Sequence, residues 1–330
     1  MKRLLLFSAL CWCYLVVALP VGVSAATVQV LSPADASYVE NEKVNLVIAL
    51  PDSKPERVKA TVGKKSFSKQ VSRQGQKQVV CFGVALENGH NTIRIEVSDG
   101  SGVIAETTLK VYRRSALSKP YQIPPGGYAR YYFHQPERER LCQECHRMEP
   151  VLSDLNPVRP QDSPCYGCHK DKTVAAFPHK PAAAGGCLNC HELVKGKPKY
   201  STRSPGKVTC FLCHSHQDRQ WKTQKFHHGP TAVGNCAVCH DPHGSGWPDL
   251  VRMHPTDLCL NCHHDKKSGR HVIAGFFAKG HPVRGQRNPF KPDRDFSCAA
   301  CHNPHAGTSQ SLLNGDRSNQ QIYCQTCHKM

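Results

Sequence analysis

The chain has few features that would anchor it in a membrane or build a large protein core. After residue 25 no stretch approaches the roughly 20 apolar residues that a transmembrane helix needs, so membrane association there would require a partner. Beyond residue 130, long runs with helical or strand periodicity are also missing. Acidic residues are scarce, at 25 against 43 Lys and Arg, and the formal net charge is +18. Such an excess ordinarily indicates a nucleic acid or an anionic surface as partner.

Residues 1–25 have the pattern of a secretory signal peptide. Lys2 and Arg3 precede an apolar run, and the small residues Val23–Ala25 form a cleavage site. We therefore predict export to the periplasm, to the outer membrane surface or outside the cell. A lipoprotein is the alternative, but the residue before Cys11 is a leucine, which is too large for lipidation.

Residues 26–114 show the alternating apolar pattern of half-buried strands, most clearly at Val44–Ile48 and Ile93–Val97. Turn residues such as Asn88-Gly89 separate the runs, and about seven short strands fit. The run Leu86–Arg113 resembles the last strands of bacterial immunoglobulin-like domains, without the disulfide of antibody domains. The fold class predicted for this domain is an all-β, Ig-like sandwich that holds no cofactor.

Residues 115–130 are rich in Pro, Gly and Ser, which predicts a linker to the second domain. Cys81 lies in an apolar run of the first domain, and we interpret it as a small buried residue, with a reactive thiol as the alternative. His90, beside the Asn88-Gly89 turn, is interpreted as a solvated loop residue.

Residues 131–330 contain sixteen of the nineteen cysteines, all in eight C-x-x-C-H motifs, and no cysteine there is left over. Nineteen Cys and 20 His placed at random would give roughly 0.07 such motifs, so composition does not explain eight. The motifs, numbered 1 to 8 along the chain, are Cys142/Cys145/His146, Cys165/Cys168/His169, Cys187/Cys190/His191, Cys210/Cys213/His214, Cys236/Cys239/His240, Cys259/Cys262/His263, Cys298/Cys301/His302 and Cys324/Cys327/His328.

This spacing is the one through which haem c is attached covalently. Residues i and i+3 lie on one face of a helical turn, so two thiols can bond one haem while the following His binds the iron. Paired C-x-x-C motifs also build Cys₄ zinc sites, but zinc does not need a His after every second Cys. We therefore predict eight haem c groups in a domain of loops and short helices that is packed around the macrocycles.

The predicted haems also change how the positive net charge of the chain is interpreted. Loss of Lys2 and Arg3 with the signal peptide leaves +16, whereas two propionates on each of eight haems supply up to −16. We interpret the basic residues as compensation for propionates, and no nucleic-acid partner is expected.

The motifs form an internal repeat of two. His134, His179 and His228 each lie eight residues before the first Cys of motifs 1, 3 and 5, and His281 takes this place before motif 7 with a longer insert. The first cysteines of successive odd motifs are 45, 49 and 62 residues apart, and those of the even motifs 45, 49 and 65. One two-haem unit has therefore been copied four times, giving repeats 1 to 4.

Over residues 134–330 the pattern resembles the multihaem c-type cytochromes with doubled C-x-x-C-H motifs, which are relatives of the small bis-histidine tetrahaem cytochromes. Its most specific marks are Cys236–His243 and Cys298–His305, where x-Pro-His follows the motif. Repeats 1 and 2 depart from it, with Arg147-Met148-Glu149 and Glu192-Leu193-Val194 at that place. The resemblance implies a second, distal His at each iron. Six are expected from the pattern: His134, His179, His228, His243, His281 and His305.

Two irons are left without a distal ligand by this pattern. His216 and His227 are the preferred candidates, because they follow motif 4 at the end of the half that lacks ligands. The alternatives are His254, His264 and His271, since distal ligands in such cytochromes often come from a neighbouring unit.

An iron with two imidazole ligands is coordinatively full, so it exchanges single electrons and does not bind substrate. We predict an electron carrier, not an enzyme, in periplasmic or extracellular respiratory electron transfer, as the resemblance implies. Its expected partners are a redox protein donor and acceptor, and association with a membrane electron-transfer complex or self-assembly is compatible with the pattern. The alternatives are an octahaem reductase of a small nitrogen or sulfur compound and a subunit of a conductive filament. The reductase needs one open or Lys-ligated haem, and no C-x-x-C-K variant is present.

Overall fold

The chain was analysed as a computed structural model. The residues that the structure describes are 28–50, 54–71, 79–140, 142–143, 146–193, 198–267, 271, 281–289, 291–314, 325 and 327. The predicted signal peptide and the motif residues Cys145, Cys324 and His328 lie outside this set.

The N-terminal part forms two β-sheets. Strands β1, β3 and β6 pair in that order, and the second sheet has the order β5-β4-β7-β8-β2-β9. All pairings are antiparallel except those of β2 with β8 and β9. The strands are β1 Gln29–Ser32, β2 Ser37–Val39, β3 Lys43–Ala49, β4 Arg57–Val62, β5 Lys65–Gln70, β6 Val79–Ala85, β7 Gly89–Asp99, β8 Gly102–Arg113 and β9 Ala129–Arg130.

The core of this domain lies between the sheets. Leu46 and Ile48 of β3 belong to the same buried cluster as Ile93 and Ile95 of β7, and all four side chains are fully buried. In β7 the buried residues alternate with more exposed ones, which is the period-two pattern visible in the sequence, because successive strand side chains point to opposite faces. A β domain followed by loops and short helices is thus confirmed, while its Ig-like character stays a prediction.

The segment predicted as a linker lies against the β domain. β9 extends the larger sheet, the hydroxyl of Tyr131 donates to the carbonyl of Leu31 at 2.8 Å, and His90, at the start of β7, contacts the hydroxyl of Tyr128 at 3.1 Å. His90 is therefore a strand residue with an aromatic partner, where the sequence suggested a loop.

We expect residues 26–114 to fold alone as a colourless β domain, because the buried core is complete within that range. A fragment of residues 26–131 should be more stable by roughly 1–3 kcal/mol, since it adds a few hydrogen bonds worth about 0.5–1.5 kcal/mol each. Urea unfolding of both fragments followed by circular dichroism measures this difference. A shorter fragment that fails to fold, beside an intact haem domain, would contradict the boundary.

The second part consists of short elements joined by loops, and the longest helix that the structure describes there has eight residues. The α-helices are α1 Pro136–Glu139, α2 Tyr166–His169, α3 Lys180–Ala183, α4 Lys207–Cys210, α5 Ser215–Lys222, α6 Gly229–Ala232, α7 Pro255–Leu260 and α8 Cys298–Cys301. Two-residue strands are β10 Phe177–Pro178, β11 Phe226–His227, β12 Gly244–Ser245 and β13 Ala306–Gly307. Turns of 3₁₀ helix are Lys119–Tyr121, Leu152–Leu155, Pro160–Asp162, Lys170–Lys172, Cys187–Asn189, Cys236–Val238, Pro248–Leu250 and His264–Lys266.

The upstream histidines begin equivalent helices in repeats 2 and 3. His179 and His228 are the N-caps of α3 and α6, and the following Pro fits the first turn because it needs no hydrogen-bond partner there. Each helix ends before a glycine with φ of +78°, Gly185 or Gly234, where an added Cβ would lie within 2.7 Å of its neighbours. This glycine turns the chain into the next C-x-x-C-H motif.

Short strand pairs connect successive repeats. β10 of repeat 2 pairs with β12 of repeat 3, and β11 of repeat 3 pairs with β13 of repeat 4. Next to them the amide of His179 donates to the carbonyl of His243 at 3.2 Å, and that of His228 to His305 at 3.0 Å. The upstream His of one repeat is therefore held beside the downstream His of the next.

The β domain also contacts motif 2. The side-chain amide of Asn45 on β3 donates to the carbonyl of Cys168 at 2.7 Å. Cys81 of β6 is half-buried and faces the Cys168 thiol, and this contact together with burial raises the pKa of Cys81. Cys81 therefore lies outside the core cluster, on the sheet face that is turned towards the haem-binding part.

Candidate haem sites

The described C-x-x-C-H motifs share one backbone turn. In motifs 1 to 7 the amide of the His donates to the carbonyl of the first Cys at 2.9–3.0 Å. This helical closure brings both thiols to the same side and places the His directly after them, as the spacing predicts. We call the site of each motif by its number, from site 1 at His146 to site 8 at His328.

Six proximal histidines face a second histidine. The ring centroids of these pairs are 5.5–6.2 Å apart. An iron bonded to both rings requires roughly 6 Å, from two metal–imidazole bonds of about 2.0–2.1 Å and about 1.1 Å from each nitrogen to its ring centre. The pairs are His169 with His134, His191 with His243, His214 with His179, His240 with His305, His263 with His228 and His302 with His271.

Five of the six pairs follow two rules. At even sites the partner is the upstream His of the same repeat, as His179 is for His214 of motif 4. At odd sites 3 and 5 it comes from the following repeat, since His243 after motif 5 faces His191 of motif 3. His305 after motif 7 likewise faces His240 of motif 5. The repeats are therefore interlocked through their odd sites.

The ring nitrogen not needed for iron has a partner in most of these pairs. The Nδ1 atoms of His191, His240 and His302 each lie 2.7–2.8 Å from the carbonyl nine residues later. A carbonyl only accepts, so Nδ1 carries the proton and Nε2 is left free for a metal. His179 makes the same contact with the carbonyl of Pro242 at 2.7 Å. Such contacts fix the tautomer and the orientation that a bis-histidine haem site needs.

Burial favours the neutral form of these rings. Burial, and then the facing His134, lowers the pKa of His169 to about 4. Burial, and then His240, lowers the pKa of His305 to about 4. Neutral imidazole is the form that binds metals, so the donor set fits iron.

Cysteines of successive motifs lie near one another. Contact with Cys165 of motif 2 lowers the pKa of Cys187 in motif 3 to about 6. The first cysteines of motifs 4 and 5 and of motifs 6 and 7 meet in the same way. Burial, and then Cys213 of motif 4, raises the pKa of Cys190 in motif 3. Burial, and then Cys262 of motif 6, likewise raises the pKa of Cys239 in motif 5. These sulfurs stand for the thioethers of attached haem, so neighbouring attachments from motif 2 to motif 7 lie side by side.

The second cysteine of each even-numbered motif is exposed, and these residues are Cys168, Cys213, Cys262 and Cys327. Of these, Cys327 belongs to motif 8. Cys324 and His328, which would share its haem, lie outside the described residues. Haem attachment at Cys327 therefore stays a prediction from the C-x-x-C-H spacing.

A continuous cavity of about 2760 Å³ runs along these motifs and is lined by their Cys and His side chains. It is severalfold larger than an ordinary small-molecule pocket of about 300–1,000 Å³, which fits several macrocycles. The described residues contain no group of three or more His, Cys, Asp or Glu side chains that would hold a bare metal ion. No helix among them is long and apolar enough to cross a membrane.

The remaining histidines are placed differently. His254 is 7 % exposed, caps α7 by accepting from the amide of Thr256, and contacts Arg284. His216 lies in α5, and His227 lies in β11 opposite Ala306. Within the described residues neither these two nor His264 faces a proximal histidine. His281 contacts Phe296 at 6.1 Å between ring centroids, and its expected partner in motif 8 lies outside the described set.

Paired attachment motifs, facing histidines and a shared cavity together define a protein that binds several haems. A family model described as "Doubled CXXCH motif" matches residues 179–219, 228–268 and 289–330. Over 143 residues the chain is 26% identical to the multiheme cytochrome MtrA of Shewanella baltica, and the match covers 38% of this chain and 43% of MtrA. These similarities support a multihaem c-type cytochrome with covalently bound haem c and electron transfer through haem.

Solved structures match a smaller part of the chain. A crystal structure of an engineered protein is 15% identical over 27% of this chain and 20% of its own, with a TM-score of 0.23. The fibronectin(III)-like modules of Clostridium thermocellum CbhA are 17% identical over 26% of this chain and 95% of their own, with a TM-score of 0.21.

Proposed function

We propose that this protein is an exported octahaem c-type cytochrome that transfers electrons along a series of bis-histidine haems. The observation that carries the proposal is the set of six histidine pairs at the separation that one iron requires. Bound haem supplies one-electron exchange at its iron. The two cysteines of each motif would hold one haem, and at six sites the chain places two imidazoles that would bind its iron.

The ligand rules extend to the two remaining sites. His281 is the upstream His of repeat 4 and is therefore proposed as the partner of His328 at site 8. At site 1 the rule requires a His three residues after His191, and this chain has Val194 there. Repeat 1 also lacks a His three residues after its motif, where Glu149 stands. By the rule, that His would serve the odd site of the preceding repeat. Repeat 1 is preceded by the β domain, so no site loses a ligand. His146 is thus the proximal ligand for which the pattern supplies no partner.

Site 1 is the specific feature that favours a second function. The alternative function, a reductase of a small nitrogen or sulfur compound, needs one iron with an open position. If His216 or His227 binds the iron at site 1, all eight haems are six-coordinate and the protein is a carrier. If neither binds, site 1 is where substrate chemistry would take place.

The spin state of the purified ferric protein tests this function. We expect at least seven of eight haems to be low-spin, because two imidazoles give a strong ligand field. Electron paramagnetic resonance and titration with cyanide measure the high-spin fraction, and mass spectrometry counts the attached haems. A cyanide-binding haem that disappears in Cys142→Ala/Cys145→Ala would assign the open iron to site 1 and favour the reductase. Two or more high-spin haems would contradict the ligand rules.

A further inference from the structure

Site 2 differs from the other histidine pairs in the acceptor that contacts its distal ligand. At site 4 a main-chain carbonyl lies 2.7 Å from Nδ1 of the distal His179, and at sites 3, 5 and 7 a carbonyl lies 2.7–2.8 Å from Nδ1 of the proximal ring. At site 2 the Nδ1 atom of His134 lies 2.8 Å from a carboxylate oxygen of Glu139. An ionised carboxylate accepts a stronger hydrogen bond than a neutral carbonyl does.

Glu139 is built into this position. It is the last residue of α1, its amide donates to the carbonyl of Gln135 at 3.0 Å, and it is 2 % exposed. A buried carboxylate is costly unless it is paired. The second oxygen of Glu139 lies 2.8 Å from the ammonium of Lys199, which is 2.6 Å from Glu149. Lys199 therefore holds one oxygen and leaves the other aimed at His134.

Asp241 is the nearest comparison. Its carboxylate lies 3.2 Å from Nδ1 of His243, but it also accepts from the amide of His243 and is 32 % exposed. Water screens an exposed carboxylate, and the longer contact weakens it further. The buried, lysine-held geometry of Glu139 is therefore particular to site 2 among the described sites.

On the basis of the proposed bis-histidine sites, we propose that Glu139 is a positioning residue that lowers the reduction potential of site 2 through His134. A carboxylate that accepts the Nδ1 proton makes Nε2 more electron-rich, and a more basic ligand stabilises ferric over ferrous iron. The negative charge of Glu139 acts in the same direction, because reduction adds an electron next to it, and Lys199 offsets part of this effect. Site 2 then gives up its electron more readily than it would without this carboxylate.

The test is Glu139→Gln in the holoprotein. The amide keeps the shape and an acceptor oxygen but removes the charge, so all eight haems should stay attached and low-spin. In a spectroscopic redox titration about one-eighth of the haem absorbance should move to higher potential. We expect a tenfold or larger change in the equilibrium constant of reduction, which is about 59 mV for one electron. The resonance signals of one low-spin haem should shift together with it.

Two variants serve as controls. Glu149→Gln removes the other carboxylate partner of Lys199 without touching His134, so the titration should stay as in the parent protein. Glu139→Asp keeps the charge but shortens the side chain, and it should raise the potential of the same fraction by a smaller amount. In a Cys165→Ala/Cys168→Ala background, which lacks haem 2, Glu139→Gln should have no effect.

His134→Ala separates this inference from the proposed function. If it produces one high-spin haem while Glu139→Gln leaves the titration unchanged, the role of Glu139 is wrong and the site stands. If His134→Ala leaves every haem low-spin, the ligand assignment at site 2 is itself wrong.

Discussion

Replacing His243 by alanine is expected to turn one haem of the eight high-spin, and that haem is attached in a different repeat. His243 follows motif 5, but its ring stacks against His191 of motif 3 with centroids 6.2 Å apart and planes 9° from parallel. Loss of the distal imidazole leaves that iron five-coordinate, while covalent attachment persists because it uses the thiols. The high-spin fraction in the ferric spectrum measures the change, and mass spectrometry checks that eight haems remain.

Removing single haems identifies the affected site. In a Cys187→Ala/Cys190→Ala background, which lacks haem 3, His243→Ala should add no high-spin iron. In a Cys236→Ala/Cys239→Ala background, which lacks the haem of its own repeat, it should still add one. The opposite outcome would show that His243 serves motif 5 and that the odd-site rule is wrong. His90→Ala provides the matched control, since His90 lies in the β domain beside Tyr128.

The β domain could be predicted because each strand is recognised from the alternation of apolar residues within a short stretch of sequence. Alternation at Val44–Ile48 reports directly which side chains face the core, and the buried Leu46 and Ile48 agree with it. The short strand β9 could not be predicted, since Ala129–Arg130 has no strand pattern and pairs only because the chain passes along β2 there. Two residues that join an existing sheet edge need hydrogen bonds and no apolar periodicity.

The motifs could be predicted for a similar reason, because C-x-x-C-H is closed by one backbone turn. Partners at odd sites could not, since they join residues 52 and 65 positions apart, as His191 with His243 and His240 with His305. A signal was nevertheless present. Small residues follow His243 and His305, Gly244-Ser245 and Ala306-Gly307, and a phenylalanine lies two positions before His179 and His228. These segments form the strand pairs that carry each ligand into the preceding repeat.

His271→Ala is expected to make the haem at site 7 high-spin. His271 lies between motif 6 and His281, and it faces His302 with ring centroids 5.5 Å apart and Nε2 atoms 3.3 Å apart. Two metal–imidazole bonds of about 2.0–2.1 Å place the nitrogens about 4.0–4.2 Å apart, so the two Nε2 atoms would have to move apart by less than about 1 Å. His271 thus supplies the ligand that sites 3 and 5 receive from a following repeat.

Alanine substitutions at the other four unassigned histidines complete this experiment. His254→Ala should cost about 0.5–2 kcal/mol of stability through the lost cap of α7 and leave the spin state unchanged. His264→Ala should leave both unchanged. His216 and His227 remain the residues predicted from the sequence for an unassigned iron, and with site 7 supplied by His271 the iron in question is that of His146. One high-spin haem more than in the parent protein, in His216→Ala or His227→Ala, would establish that residue as the ligand. A low-spin His271→Ala protein would overturn the assignment of site 7 and return both irons to His216 and His227.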